Sequence, residues 1–494
     1  MSAGDRRAAL SRAEVSAMLA ADASGDTATR MIDLAVEWLA HAASGEGAVS
    51  RNTPPAEIAA RFDEPLPEHG VPLDDILRRL REQVMSDANR LSHPMYMGHQ
   101  VSAPLPIAAW TDALAAVMNN GMAVREMSPT LTHVEQRVVR WMCNVTGFGP
   151  GSGGTFTSGG SEATLTALLA ARAKVLPAAW EEGVAAGTPV VICGEHAHYA
   201  VRRAVGIIGL GVRQVVTVPS VDYRMDAKAL PAILARLHAE ARPVVAVVAS
   251  AGHTATGSFD NLERIADACA PSATWLHVDA AHGASALLSE RHRVRLRGIE
   301  RVDSLAWDPH KMMLMPLAAG MLLVRDEVGL ERAFSQQAPY LFHRRDDEPS
   351  YDIGPRSFLC SRRADALKVW VALQRYGREG IAVLYDYLVE LTEGLHDRLV
   401  AHPRFEPLHA PETNILCFRY LGDESVGEQQ LDALNRALRG RYNHSGEGWI
   451  TLTELDGRQA LRVTIINPRT TPAHLDRLVE GLDSVGEGLV QQPG

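Results

Sequence analysis

Between about residue 110 and 330, short and wholly apolar runs alternate with helical stretches, and this pattern constrains the fold more than any other feature of the chain. The runs Val190-Val191-Ile192, Val215 to Val218, Val244 to Val248, Trp275 to Val278 and Met321 to Val324 read as strands. Glu135–Thr146, Ser161–Lys174 and Asn261–Ala270 read as helices between them. A strand apolar on both faces is covered on both faces. Strands of that kind separated by helices make a buried, mostly parallel α/β sheet.

The flanks differ. Residues 8 to about 90 read as helical, with a periodic stretch at Met31 to Leu39 and a break at Thr53-Pro54-Pro55. A helix at Ala364–Tyr376 leads into a region with strands at Asn414 to Phe418 and Leu461 to Ile466 and a helix from Pro472. The expected organisation is a helical N-terminal segment over 1–109, a large α/β domain over 110–375 and a small α+β domain over 376–494.

Two runs carry the chemistry. Leu276-His277-Val278-Asp279-Ala280-Ala281 ends an apolar strand on a lone carboxylate followed by small residues. Trp307-Asp308-Pro309-His310-Lys311 ends on a lysine that is followed by Met312-Met313-Leu314-Met315. A desolvated lysine is a nucleophile toward a carbonyl. A buried aspartate needs a partner, and a protonated pyridine nitrogen is one. Together they suit pyridoxal phosphate (PLP), which serves as an electron sink. Each residue also has a plainer reading: a lysine at a strand end, and an aspartate bound to backbone amides.

A third segment, Ser158-Gly159-Gly160-Ser161-Glu162, opens a helix. The unpaired first amides and the dipole of a helix favour an anion, and Ser158 and Ser161 add hydroxyls. The segment is neither a Walker A loop nor a GxGxxG fingerprint, and it also reads as an ordinary helix cap with a glycine turn. A fourth, Glu195-His196-Ala197-His198-Tyr199, follows a strand and supplies a ring for stacking on a flat cofactor, or else solvated loop histidines.

These four segments, in this order, resemble the group II PLP-dependent amino-acid decarboxylases, over roughly residues 75 to 480. The resemblance implies the type I fold of PLP-dependent enzymes, with a mostly parallel sheet of seven-stranded type, and release of CO2 from an L-amino acid to leave an amine. By position it makes Lys311 the covalent holder of the cofactor and Asp279 the partner of its ring nitrogen. His198 becomes the stacking ring, Gly160 and Ser161 the phosphate turn, and Thr254 a cofactor-lining residue. His310 joins the cofactor contacts as part of the His-Lys dipeptide. Asp308 stands where some members carry asparagine on the phosphate side, and a carboxylate there repels phosphate unless it is turned away or protonated. Ala338 to His343 resembles a mobile loop whose tyrosine, Tyr340, returns a proton to Cα. Cys360 to Asp365 resembles the segment whose arginine holds the substrate carboxylate, which falls on Arg362, with Arg363 second. His99, in His93 to Gln100, is expected to face the side-chain pocket. The family implies a homodimer with a shared active site, joined through the helical N-terminus.

The substrate side chain stays open among acidic, aromatic and diamino. Residues 338–363 look most like glutamate or cysteine sulfinate enzymes, the phosphate turn like aromatic ones, and His93 to Gln100 like diaminobutyrate ones. Arg125 is a candidate for a distal carboxylate or an exposed salt-bridge arginine. An oxidative aldehyde synthase is the second reading. In that branch the loop tyrosine or the stacking histidine is often replaced, and both are present here. A noncatalytic PLP-fold protein is the third, and Lys311 with Asp279 speaks against it.

A net charge of −10 argues against nonspecific nucleic-acid binding. Five scattered cysteines lack metal spacing and read as buried free thiols in a reducing compartment. No metal is expected. The N-terminus lacks the apolar core of a signal peptide, and no run approaches the roughly 20 apolar residues of a membrane span. A cytoplasmic protein with no membrane partner is the expectation.

Overall fold

The computed structural model describes residues 12–23, 25–185, 188–334, 351–422 and 426–491. Its centre is a seven-stranded sheet built from β1 (Gly153–Thr157), β2 (Val190–Gly194), β3 (Val215–Val218), β4 (Val244–Ser250), β5 (Leu276–Asp279), β6 (Ser304–Trp307) and β7 (Gly320–Val324). The spatial order is β1-β7-β6-β5-β4-β2-β3. The ladders from β6 through β5, β4 and β2 to β3 are parallel, and β7 runs antiparallel to both β6 and β1. β1 and the five parallel strands therefore all end at the same edge. All five apolar runs read from the sequence lie in strands of this sheet. β1 and β6 are the additions. β1 is rich in glycine and threonine, and β6, Ser304-Leu305-Ala306-Trp307, is apolar but only four residues long, yet nearly every residue of both is buried.

The helices that position the site are α1 (Arg12–Asp22), α2 (Gly25–Ala43), α3 (Pro106–Met118), α4 (Pro129–Thr146), α5 (Gly160–Val175) and α6 (Ala366–Ala401). α5 packs on the sheet through Ala163, Ala167, Ala170 and Ala171, all nearly inaccessible, and these small side chains bring the helix axis close to the strands. α6 turns sharply at Gly377, whose φ of 66° suits a residue without Cβ. Lys368 on α6 is buried between Asp112 of α3 (3.0 Å) and Asp365 (3.1 Å), which pins the two helices together.

Beyond α6, an antiparallel sheet of β8 (Phe405–Pro407), β9 (Ile415–Tyr420), β10 (Thr451–Leu455) and β11 (Arg458–Thr464), in the order β8-β9-β11-β10, is covered by α7 (Glu428–Ser445) and α8 (Pro472–Gln491). The segment Met95–Met97 is stitched onto this sheet. The Met97 amide donates to the Trp449 carbonyl at 2.9 Å, and the Thr464 amide donates to the Met97 carbonyl at 3.0 Å.

The expectation of buried thiols holds for Cys143, Cys193, Cys269 and Cys417 and fails for Cys360. Cys360 lies in an irregular connection ahead of α6, beside Ser361 and two arginines, where no strand or helix presses it into the core. No helix among the described residues is long and apolar enough to cross a membrane.

Candidate active site

Because β1, β2, β4, β5 and β6 end at one edge, the residues just past them converge there, as expected for ligands of an open α/β sheet. Ser158 to Ser161 follow β1, and His196 and His198 follow β2. Gly252 to Thr254 follow β4, Asp279 ends β5, and Asp308, His310 and Lys311 follow β6. All of these line one cavity of about 290 Å³.

Lys311 sits at its floor, with Nζ 3.1 Å from Asp308 Oδ2. The following Met312 to Met315 are wholly buried and root the lysine in the core. Asp308 is itself buried, and its Oδ2 also lies 3.4 Å from His310 Nε2. Burial opposes its charge, but Lys311, His310 and the Gly160 amide outweigh burial and hold the carboxyl at about 2. The other oxygen, Oδ1, has no hydrogen-bond partner. His310 Nδ1 accepts from the Ala319 amide at 3.0 Å, which leaves Nε2 to carry the proton toward Asp308.

Asp279 points into the cavity from the end of β5, and its Oδ1 accepts from the Ala281 amide at 3.3 Å. Across from it, His198 Nδ1 accepts from the Ala200 amide at 3.3 Å. Burial pushes the His198 imidazole below its usual pKa, Lys311 adds to this, and Asp279 and Asp308 oppose it. The ring is therefore neutral and flat, as stacking on a cationic pyridine requires. Gly160, the first residue of α5, cannot take a side chain. A Cβ there would stand 2.8 Å from the Ala281 methyl and 3.3 Å from Asp308 Oδ2. Glu162 folds back, its Oε2 accepting the Ser158 amide at 2.8 Å, while its Oε1 stays unpartnered.

This set fits PLP. An amine, a carboxylate at a strand end, a flat neutral ring and a glycine cradle at a helix N-terminus share one cavity, with buried polar atoms in it that lack partners. Lys311, Asp279, His198, His310, Thr254, Gly160, Ser161 and Asp308, all expected from the sequence, line it. Among the described residues no cluster suited to a metal ion is found. A second cavity, of about 510 Å³, is lined by Glu135, Arg140, Glu327 and Tyr351 and holds no lysine.

Four expected residues are not brought to the cavity, and a fifth lies outside the described residues. Arg362 is buried with its fork filled by Glu135, at 2.5 and 2.9 Å, and it also approaches Thr155. Its Nε has no partner, but the Glu135 carboxylate already neutralises its charge. Its neighbour Arg363 is exposed, with Nη2 donating to the Asp112 carbonyl. His99 is exposed on the segment after Met97 and is not among the lining residues, and Arg125 is exposed as well. Tyr340, with the rest of 338–348, lies outside the described residues.

Sequence reading missed Arg462. It lies in β11, buried, with Nη2 donating to the Thr254 carbonyl at 2.6 Å and Nε to the Ala255 carbonyl at 3.0 Å. No carboxylate pairs with it among the described residues, and burial lowers its pKa. An unpaired buried cation at the rim of a site is costly unless an anion comes to it. The available signal was a lone arginine inside the apolar run Leu461 to Ile466. His282, which also lines the cavity, was missed too. It is neutral, held down to about 3 by burial, and its Nε2 donates to Asn414 Oδ1 at 2.7 Å.

The family described as the pyridoxal-dependent decarboxylase conserved domain matches residues 55–421. An L-2,4-diaminobutyrate decarboxylase of Rhizobium meliloti (strain 1021) is 32% identical over 430 residues, covering 86% of this chain and 83% of its own. The acidic amino acid decarboxylase GADL1 of Homo sapiens is 30% identical, covering 88% and 86%. Among solved structures, mouse CSAD superposes with a TM-score of 0.87 at 28% identity, covering 94% of this chain and 99% of that one. The chain belongs to the pyridoxal-dependent decarboxylases, and it is a PLP-dependent amino-acid carboxy-lyase.

Proposed function

We propose that the cavity at the carboxyl edge of the sheet is where this enzyme turns a small L-amino acid into its amine, with Lys311 as covalent anchor and Asp279 as partner of the ring nitrogen. The observation that carries this is the convergence of Lys311, Asp279, His198 and the Ser158–Ser161 turn on one cavity. When bound, PLP supplies the electron sink for the bond between Cα and the carboxylate. The anionic Asp279 keeps the ring nitrogen protonated, and His198 covers one face of the ring. Ser158 and Ser161 hold the phosphate at the turn, His310 and the Gly160 amide brace Asp308 beside it, and Thr254 lines the site. Tyr340 is the proton donor to Cα.

The role given to Arg362 passes to Arg462, whose unpaired guanidinium reaches Thr254 at the cavity wall. Burial, Arg462 and Arg439 all push His99 below its usual pKa, and no carboxylate opposes them. Arg462 and Arg439 set a positive field on this side of the site, which suits an acidic side chain better than a second ammonium.

The apolar exposure of Met31, Ile32 and Val36 on α2, with Leu114 and Val117 on α3, supports burial of this surface in a homodimer. Unpaired cysteines throughout the described residues support a reducing, cytoplasmic setting.

The test is incubation of the holoenzyme with acidic, aromatic and diamino L-amino acids while CO2, amine and peroxide are scored. CO2 and amine in equal amounts from an acidic substrate are expected. Peroxide with aldehyde would overturn the amine-forming reading, and turnover of only a diamino acid would overturn the side-chain assignment.

A further inference from the structure

Asp308 is the one ionised group in the site that an amine-forming reaction does not call for. It stands on the phosphate side of the cavity, where negative charge is unwelcome. Its surroundings are specific. Oδ2 lies within hydrogen-bond distance of Lys311 Nζ, at 3.1 Å, and faces the first amide of α5 at Gly160. Close packing fixes the position. A Cβ on Gly320 would fall 2.8 Å from Asp308 Oδ1, and one on Gly160 would fall 3.3 Å from Oδ2, so both glycines leave room for the carboxyl. Oδ1 is buried without a partner. The groups that face it are Lys311 and His310 from its own loop, His198 from the loop after β2, and His282 from the loop after β5, with Asp279 across the cavity.

The ion pair with Lys311 obstructs the chemistry the lysine must do. An ammonium has no lone pair, so it must lose a proton before it attacks an aldehyde. The amide at Gly160, which would serve a phosphate, is turned toward the carboxylate.

We propose that Asp308 takes the Lys311 proton as the cofactor loads and then, as a neutral carboxylic acid, donates its O–H to the cofactor phosphate. The balance is complete. The Lys311 ammonium gives one proton to Asp308 Oδ2, and the freed lone pair adds to the aldehyde carbon. A C=N bond forms as the C=O bond breaks and water leaves. No proton is released to solvent, and no oxidant or reductant is needed. Two changes push the proton onto Asp308: its cationic partner is consumed, and a phosphate carrying nearly two negative charges arrives. In the neutral acid the buried, unpartnered Oδ1 is the carbonyl oxygen, which bears less charge than a carboxylate oxygen, while the hydroxyl at Oδ2 donates to the phosphate. The same burial that penalises the carboxylate favours the acid.

The inference rests on the phosphate lying at the Ser158–Ser161 turn, and the experiment separates the two. Apoenzyme is mixed with PLP, and the infrared difference spectrum is recorded in the region of the protonated carboxyl C=O stretch. A new band is expected that shifts in D2O and under carboxyl-13C aspartate labelling, and that is lost in Asp308→Asn. The rate at which the visible absorbance of lysine-bound cofactor develops is expected to fall about 10²-fold in Asp308→Asn, the scale of lost general-base assistance. Should that variant not fold, Asp308→Ser replaces it. No new band in the wild type, a band that survives in the variant, or an unchanged capture rate overturns the proposal. Pyridoxal, which lacks the phosphate, is the control. If it binds apoenzyme as tightly as PLP does, the phosphate is not at the turn and the placement itself falls.

Discussion

His253 Nε2 stands 3.0 Å from Asp260 Oδ1, with both side chains buried, and His253 Nδ1 faces the His196 carbonyl oxygen at 3.3 Å. Both ring nitrogens meet acceptors, so the ring is held doubly protonated. Asp260 also accepts the amides of Ser250 and Met225, each at 2.7 Å. The pair ties the loop that carries His196 and His198 to the end of β4. Burial lowers the His253 pKa, but Asp260 and the His196 carbonyl outweigh it and the net shift is upward. Burial raises Asp260, and His253 with the two amides outweighs that, so its net shift is downward. The stability from His253 is complete below its ordinary 6.5 and is lost as pH rises through the raised folded value. That from Asp260 is complete above its ordinary 3.8 and is lost as pH falls through the depressed value. Asp260→Asn is expected to cost about 3–5 kcal/mol in urea unfolding and to flatten the alkaline limb. An unchanged limb would show that the pair does not carry it.

Lys311→Ala and Asp279→Asn separate anchoring from electronics. The first removes the visible absorbance of lysine-bound cofactor, with PLP then washed out on dialysis. The second keeps that absorbance but leaves the ring nitrogen without an anion, so kcat falls about 10²-fold or more. Decarboxylation at the wild-type rate by either variant would remove that residue from the site.

Arg362 and Arg462 make opposite predictions. Arg362→Ala strands Glu135 and is expected to cost about 3–5 kcal/mol of stability. Arg462→Lys keeps the charge but not the fork, so kcat/KM for the amino acid falls about 10–10²-fold, matching a lost hydrogen bond to a charged group. PLP absorbance should stay near wild type in Arg462→Lys, with a lower melting temperature from the Thr254 and Ala255 carbonyls left unpaired. If kcat/KM fell with Arg362→Ala at unchanged stability, the assignment would reverse.

Gly160→Ala places a methyl 2.8 Å from the Ala281 Cβ, which must shift or push α5 outward. An overpacking cost of about 1–3 kcal/mol is expected to appear as weaker PLP binding in an equilibrium titration. Unaltered PLP affinity would place the phosphate elsewhere.

Tyr340→Phe is expected to reduce amine formation about 10²-fold, the scale of a lost proton donor, with PLP affinity unchanged. A full rate of amine formation would assign the proton to another group.

Much of the site was legible because its parts are local. A buried strand that ends on Asp279, a lysine rooted in Met312 to Met315, and a glycine turn opening α5 each carry their signal within about ten residues. Strand polarity then brings them together at one sheet edge. The arginine we propose for the substrate carboxylate was not legible, because the choice depends on long-range contact. Arg362 and Arg462 look alike in one dimension. Only the pairing of Glu135 on α4 with Arg362, and the pairing of β11 with β9 and β10, leave the first paired with a carboxylate and the second bonded to carbonyls and a hydroxyl. β1 and β6 escaped notice for a related reason: strands of four or five residues, one of them rich in glycine and threonine, owe their assignment to neighbours on the sheet.

The amino-acid sequence by itself determined the α/β class, the cofactor and the residues that follow the strand ends, because apolar runs and turn chemistry act over short spans. The tertiary structure alone decided which charges are paired. It set Asp308 against Lys311, closed Arg362 onto Glu135 and left Arg462 without an anion. An ion pair depends on where distant segments come to rest, and that is a property of packing, which local sequence pattern does not encode.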